Sequence, residues 1–340
     1  MKLICTIGDC NGIGLEVFFK ALKEEPLSSS QDISITLCGN SRTIVDYAAQ
    51  LGVEVCRSNS TLTVGSTPIS ILECETYSEV IFGAATISAA QLAVESLEMA
   101  IRLTISGEFD ALVTLPISKV ALKQIGWNFP GQTEMLAARC HSPNPMMILC
   151  SDTIRVALAT IHTPLQNVPQ NITQDHIRER IAALNNSLKL DYSFASPSIA
   201  VLGLNPHAGE QGEIGIEEIE SINPAIQASI HNGINANGAF PADGFFAHGE
   251  YKSYDGILAM YHDQGLIPLK LLATDGGVNF TAGLPIVRTS PEPPMALQGK
   301  ELQMQKAHSA QYFSPIALQT IAGNSSFCLF LLPLIVFQHF

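Results

Sequence analysis

The chain has 340 residues, beyond the size at which one hydrophobic core keeps growing, so two domains are expected. With 46% hydrophobic and 14% charged residues it has the composition of a core-rich globular protein, which argues against disorder. Its 18 basic and 31 acidic residues give a formal charge of −13, which argues against a surface tracking nucleic-acid phosphates or an anionic membrane; an anionic small substrate would need a local cationic pocket.

In chain order, short apolar runs rich in β-branched residues predict strands at Leu3–Ile7, Ile33–Cys38, Ala111–Leu115, Met147–Cys150, Arg155–Thr160, Ser198–Leu204 and Gly256–Met260. Apolar residues at helical spacing predict helices over Ile87–Ile105 and, less cleanly, Gln174–Leu188. This alternation is how parallel α/β sheets read. Ligands in such sheets collect beyond the carboxyl ends of the strands, where most of the polar and glycine-rich segments of this chain fall. No repeat, charge block or low-complexity linker marks a domain boundary. The eight cysteines form no Cys-x-x-Cys pair or dense framework and read as buried thiols of a reducing cytoplasm. The N-terminus lacks an export signal's apolar core and cleavage site, and the apolar run Phe327–Phe337 is short for a membrane span and contains Pro333.

Gly8-Asp9-Cys10-Asn11-Gly12-Ile13-Gly14 follows a strand and precedes a helical stretch. It has neither a G-x-G-x-x-G fingerprint nor a Walker lysine, so a phosphate or dinucleotide loop and a plain strand-to-helix turn both remain open. His162, His207 and His262 each close a strand-like run. Three neutral imidazoles suit a divalent ion and leave a position open for substrate, but nothing in their spacing forces them together, and three unrelated loop residues would read the same. Lys270, Asn279 and Arg288 stand among apolar and glycine residues. In so acidic a chain such cations are candidates for gripping phosphate or carboxylate, or are ordinary surface charges with snorkelling stems.

Together the segments resemble the 4-hydroxythreonine-4-phosphate dehydrogenase family of pyridoxal phosphate biosynthesis, from about residue 3 to about residue 290. The resemblance is carried by Gly8-Asp9 with Gly12-Ile13-Gly14, Pro116-Ile117-Ser118-Lys119, Pro130-Gly131-Gln132-Thr133-Glu134, Leu204-Asn205-Pro206-His207-Ala208-Gly209-Glu210, Pro241-Ala242-Asp243, Met260-Tyr261-His262-Asp263-Gln264-Gly265 and Gly283-Leu284-Pro285 with Arg288-Thr289-Ser290. It implies an α/β, isocitrate/isopropylmalate dehydrogenase-like fold of two α/β domains with an interdomain cleft. The first domain is expected at 1–130 and 265–340; the second, at 131–264, is expected to dimerise. It also implies a cytoplasmic homodimer with a shared active site. A zinc, magnesium or cobalt ion would be held by His162, His207 and His262, with His262 reaching in from the other subunit, so that within one chain His162 and His207 lie together and His262 apart. Substrate contacts fall to Gln132, Thr133, Lys270, Asn279 and Arg288. The general base is unassigned, with Asp243 and Asp263 as candidates, and the residues contacting NAD or NADP are unassigned. Position 132 departs from the family pattern, which has His there; Gln donates a hydrogen bond but cannot become cationic.

The implied reaction is oxidation of 4-phosphohydroxy-L-threonine to 2-amino-3-oxo-4-phosphohydroxybutyrate, which decarboxylates to 3-amino-2-oxopropyl phosphate. The competing readings are a dehydrogenase for another phosphorylated hydroxy acid, a three-histidine metallohydrolase that needs no NAD, and a catalytically impaired or non-catalytic family member. The last arises from the C-terminus. After Ser290 the family continues with Asp-His-Gly-Thr-Ala and a segment like Asp-Ile-Ala-Gly-Lys-Gly-Ile-Ala-Asp-Ala, absent here. Back-translated with TTG leucine codons and read two nucleotides later, Met295–Ala307 can spell Gly-Ile-Ala-Gly-(Lys or Gln)-Gly-Ile-Ala-Asp-Ala-Lys-Ser. The chain from about Pro291 is therefore expected to be out of frame, with exposed apolar surface and weak activity; a genuine divergent C-terminus is the alternative.

Overall fold

The computed structural model describes residues 1–24, 33–58, 60–273 and 277–292. In chain order its elements begin with strand β1 (Lys2–Thr6), helix α1 (Gly14–Glu24), β2 (Ser34–Gly39), α2 (Ser41–Gln50), β3 (Val55–Ser58), β4 (Thr61–Val64), β5 (Thr67–Glu73), α3 (Ile87–Ile105), β6 (Ala111–Val113), α4 (Lys119–Gln124) and α5 (Gln132–Arg139). They continue with β7 (Met146–Cys150), β8 (Arg155–Leu158), α6 (Val168–Asn171), α7 (Gln174–Leu190), β9 (Ser198–Leu202), α8 (Asn223–His231), β10 (Asn235–Phe240), α9 (Ala242–Ala247), β11 (Gly256–Ala259), α10 (His262–Leu272), β12 (Gly277–Ala282) and β13 (Val287–Glu292). All seven expected strands and both expected helices are present. Beyond Glu292, the stretch expected to be out of frame lies outside the described residues.

The chain divides into two compact units, Met1–Pro143 together with the stretch beginning at Leu284, and Asn144–Gly283. The divisions fall at 143/144 and 283/284 rather than 130/131 and 264/265. Helix α5 goes with the first unit, where Gln132 bonds the Leu115 carbonyl, and α10 packs on β8 and β11 in the second.

In the first unit β13, β6, β1, β2 and β5 lie side by side and parallel. Strands β4 and β3 extend this sheet antiparallel, an edge that the sequence pattern did not announce. From Leu3 to Thr6 every residue of β1 is buried, as expected of a parallel strand covered on both faces. Thr86 caps α3 by accepting from the Ala89 amide, and the helix buries Leu92, Ala93, Leu97, Ala100 and Ile101. On that buried face Ser96 Oγ accepts from the Ile7 amide (3.1 Å) and donates to the Cys38 carbonyl (2.7 Å), tying the ends of β1 and β2.

In the second unit β10, β9, β11 and β8 run parallel in that order; β7 is antiparallel to β8, and β12 to β7. Val156, Leu158, Ala200, Leu202, Ile257 and Ala259 from the central strands form its core with Leu266 and Leu269 of α10. Helix α7 starts at the Thr173 cap and buries Ile177, Ile181, Leu184 and Leu188. Because β8, β11 and β9 are adjacent and parallel, the segments leaving their carboxyl ends emerge at one end of the sheet. Those segments carry His162, His262 and His207.

Candidate active site

Side chains tie the three strand ends together. Thr160 Oγ1 donates to the Met260 carbonyl (2.8 Å), joining β8 to β11. Gln264 Oε1 accepts from the Met260 amide (2.7 Å), while its Nε2 donates to the Gly203 carbonyl (2.6 Å), joining β11 to β9. His262 opens α10, and its Nδ1 donates to Asp263 Oδ1 at 2.7 Å. That bond places the proton on Nδ1 and leaves the lone pair on Nε2, the tautomer a metal-ligating imidazole needs.

His162 and His262 are brought together, their ring centroids 6.1 Å apart. This spacing is within the span that two metal–nitrogen bonds of about 2.1 Å allow. The expectation that His262 lies apart from His162 within one chain is therefore corrected; His207 is exposed on the turn after β9. Strand β11 lies between β8 and β9, so His262 occupies the middle position and is the natural neighbour of His162. Among the described residues no three His, Cys, Asp or Glu side chains gather where they could hold an ion. The donors in one chain thus fit a metal as a pair of imidazoles, one oriented by a carboxylate, that requires a third ligand.

The first unit holds a second group. Arg288, on β13, is 2% exposed and donates through Nε and Nη2 to Thr114 Oγ1 (3.1 and 2.7 Å) and through Nη2 to Gln132 Oε1 (2.8 Å). The other end of the Gln132 amide donates to the Leu115 carbonyl (2.9 Å). Gln132 is thereby committed to orienting the guanidinium, and Thr114 is a partner that the sequence reading missed. Burial lowers the Arg288 pKa to about 10, opposed by the Glu134 carboxylate, so the group stays cationic at neutral pH. Thr133 follows in the first turn of α5, half-buried.

Asn279 sits on β12 opposite Leu149, and among the described residues its buried Oδ1 accepts no hydrogen bond. A buried acceptor left in that state costs about 1–3 kcal/mol, which makes it a candidate seat for a ligand donor. Lys270 is half-buried in the last turn of α10. Asp243, in the first turn of α9, and Asp263 are both exposed.

The loop after β1 is a structural turn. Gly8 adopts φ +64°, and a Cβ there would lie 2.5 Å from the Pro116 carbonyl oxygen. Asn11, 2% exposed, accepts from the Ile81 amide and donates to the Ala84 carbonyl and Thr86 Oγ1, while Tyr47 donates to the Gly12 carbonyl (2.6 Å). These groups are turned inward, and the Asp9 carboxylate would repel a phosphate, so the geometry favours the strand-to-helix turn over a phosphate loop.

Burial pushes Asp9 up to about 6, against the lowering effect of the Asn11 amide. An unfolded Asp titrates near 3.9. Below that value both states hold the proton and the stability is fully present; as the pH rises through about 6 the folded carboxyl ionises in its buried place and the stability is lost. Asp9→Asn, which keeps the acceptor oxygen, is therefore expected to stabilise the fold by on the order of 1–3 kcal/mol at about pH 7.5 and to change little at about pH 3.5. Thermal unfolding at both pH values checks this; an equal shift at the two would contradict it.

Parallel strands in both units and helices packed on them define an α/β protein of the isocitrate/isopropylmalate dehydrogenase-like class. A family profile described as pyridoxal phosphate biosynthetic protein PdxA matches residues 31–310, and the chain belongs to that family. It is 39% identical over 296 residues to the 4-hydroxythreonine-4-phosphate dehydrogenase of Prosthecochloris aestuarii, covering 84% of this chain and 87% of the relative. The crystal structure of the Klebsiella pneumoniae 4-hydroxythreonine-4-phosphate dehydrogenase superposes with a TM-score of 0.76 at 32% identity, covering 90% of this chain and 95% of that one. A terephthalate 1,2-cis-dihydrodiol dehydrogenase from Burkholderia xenovorans superposes with a TM-score of 0.58 at 25% identity, over 95% and 98% of the two chains. No helix among the described residues is long and apolar enough to cross a membrane.

Proposed function

We propose that this chain is a metal-dependent, NAD- or NADP-linked dehydrogenase of pyridoxal 5'-phosphate biosynthesis. It oxidises 4-phosphohydroxy-L-threonine to 2-amino-3-oxo-4-phosphohydroxybutyrate, which loses carbon dioxide to give 3-amino-2-oxopropyl phosphate. The observation that carries this reading is family membership along most of the chain, with a named relative acting on 4-hydroxythreonine 4-phosphate. The enzyme works as a cytoplasmic homodimer with a shared site.

His162, His207 and His262 would hold a zinc, magnesium or cobalt ion, which would supply Lewis-acid polarisation of the substrate hydroxyl, and a nicotinamide would supply the hydride acceptor. Asp263 keeps the His262 ring in register by its bond to Nδ1. Thr160 and Gln264 hold the strand ends so that the imidazoles need not be reordered when substrate arrives. Arg288, held by Thr114 and Gln132, grips an anionic group of the substrate, with Thr133 next to Gln132 in sequence, and Lys270 is a further candidate cation. Asn279 Oδ1 accepts a hydrogen bond from the substrate's amino group. Asp263 is engaged by His262, which leaves Asp243 as the freer proton acceptor. Once the alcohol is a ketone β to the carboxylate, the electrons of the C–C bond pass to it as carbon dioxide leaves.

A second reading is a dehydrogenase for a different hydroxy acid, favoured by the likeness to the dihydrodiol dehydrogenase and by Gln132, where the family pattern has His. A substrate panel separates the two. Nicotinamide reduction should be fastest by at least about tenfold in kcat/KM with 4-phosphohydroxy-L-threonine, a margin of roughly 1.4 kcal/mol in transition-state binding. Faster turnover of another phosphorylated acid, or of a dihydrodiol, would transfer the assignment to it.

A further inference from the structure

Glu218 is 1% exposed, an unusual place for a carboxylate. Its Oε1 accepts from the backbone amides of Leu204 (2.7 Å) and Asn205 (2.8 Å), and its Oε2 from Asn205 Nδ2 (2.9 Å). These three bonds are what make the buried charge tolerable. Two residues beyond Asn205 the chain enters a left-handed turn, with φ of 53° at His207, 50° at Ala208, 81° at Gly209, 45° at Glu210 and 56° at Gln211. Each residue with a side chain held there costs about 1–2 kcal/mol, and such a run persists only where its surroundings over-determine it. The turn folds down onto the carboxylate. A Cβ at Gly209 would stand 2.7 Å from Glu218 Oε2 and 2.6 Å from the Gly215 carbonyl oxygen. Glu218 itself opens a π-helical turn, Glu218–Ile222, whose widened spacing is a common feature near functional sites.

We propose that Glu218 is a positioning residue for His207: its carboxylate anchors the amides of Leu204 and Asn205 and so holds the left-handed turn that presents the His207 imidazole. The proposal rests on the reading of His207 as a metal ligand, but its first test needs no metal. In full-length metal-free protein, the imidazole Cε1–H resonance of His207, assigned by its loss in His207→Ala, should shift or broaden in Glu218→Gln, while those of His162 and His262 stay in place. The substitution keeps the side chain's size but sets an NH2 group against either the backbone amides of Leu204 and Asn205 or the Asn205 side-chain NH2, so that one of these attachments is lost. If the Gln variant does not fold, Glu218→Asp, which keeps the charge and draws it back by one carbon, is read in the same way. An unmoved His207 signal overturns the proposal.

The second arm titrates zinc alone. Glu218→Gln should weaken binding about 10–100-fold. Unchanged zinc binding in Glu218→Gln, in a protein where His207→Ala abolishes it, overturns the proposal, since the turn would then present His207 without Glu218. If His207→Ala binds zinc as the unaltered protein does, the metal reading fails, and the resonance of His207 decides the positioning role by itself.

Discussion

Replacing Arg288 by Ala is expected to lower kcat/KM for the phosphorylated substrate by roughly a hundredfold or more, since removing one partner of a buried, hydrogen-bonded ionic contact costs about 2–5 kcal/mol. Thermal stability should fall as well, because Thr114 Oγ1 and Gln132 Oε1 both lose a donor in a buried place. Arg288→Lys is expected to recover little: an ammonium keeps the charge but lacks the planar fork that reaches Thr114 and Gln132 together. Gln132→His should act oppositely and more gently. An imidazole that keeps only the acceptor contact to Arg288, giving up the bond to the Leu115 carbonyl, has its N–H left to donate to a phosphate oxygen, so KM should fall more than kcat rises. Steady-state kinetics on the four proteins checks the series, and an unchanged kcat/KM in Arg288→Ala would remove this residue from the substrate site.

His207→Ala should abolish divalent-ion binding, and with it nicotinamide reduction, because the His162–His262 pair alone offers too few bonds for a stable site. Calorimetric titration with zinc or cobalt checks the binding, and adding excess metal should fail to restore turnover. Binding equal to that of the unaltered protein would show that His207 is no ligand. Asp263→Asn is the graded companion: it weakens the orienting bond to His262 Nδ1 without removing a ligand, and should cost about 10–100-fold in metal affinity.

The central strands were legible because residues such as Leu3–Cys5 and Ile257–Ala259 are apolar on both faces, a pattern that belongs to parallel strands under helices. Strands β3, β4 and β5 were not, because β4 and β5 alternate between buried and more exposed positions, as in Thr61–Val64 and Thr67–Ile71, and so lack the continuous apolar run that marks the parallel strands. Histidine positions at strand ends were legible as candidates, but which of them meet depends on β11 lying between β8 and β9, and strand order is not written in local sequence. The contact between Arg288 and Gln132 joins residues 156 positions apart. Both were named as substrate contacts from the family resemblance, yet nothing near either announced that the amide is committed to the guanidinium. Thr114 could have been suspected as the polar residue closing an apolar strand. Glu218 had no local signal, since its role arises from folding the π-turn back against Leu204 and Asn205.

The central claim is tested most directly by incubating the purified full-length protein with 4-phosphohydroxy-L-threonine, NAD or NADP and a divalent metal, and measuring reduced nicotinamide and carbon dioxide together. The account predicts that the two appear one to one, that a chelator stops both, and that zinc, magnesium or cobalt restores them. Carbon dioxide without nicotinamide reduction, or undiminished nicotinamide reduction in the presence of the chelator, would contradict it.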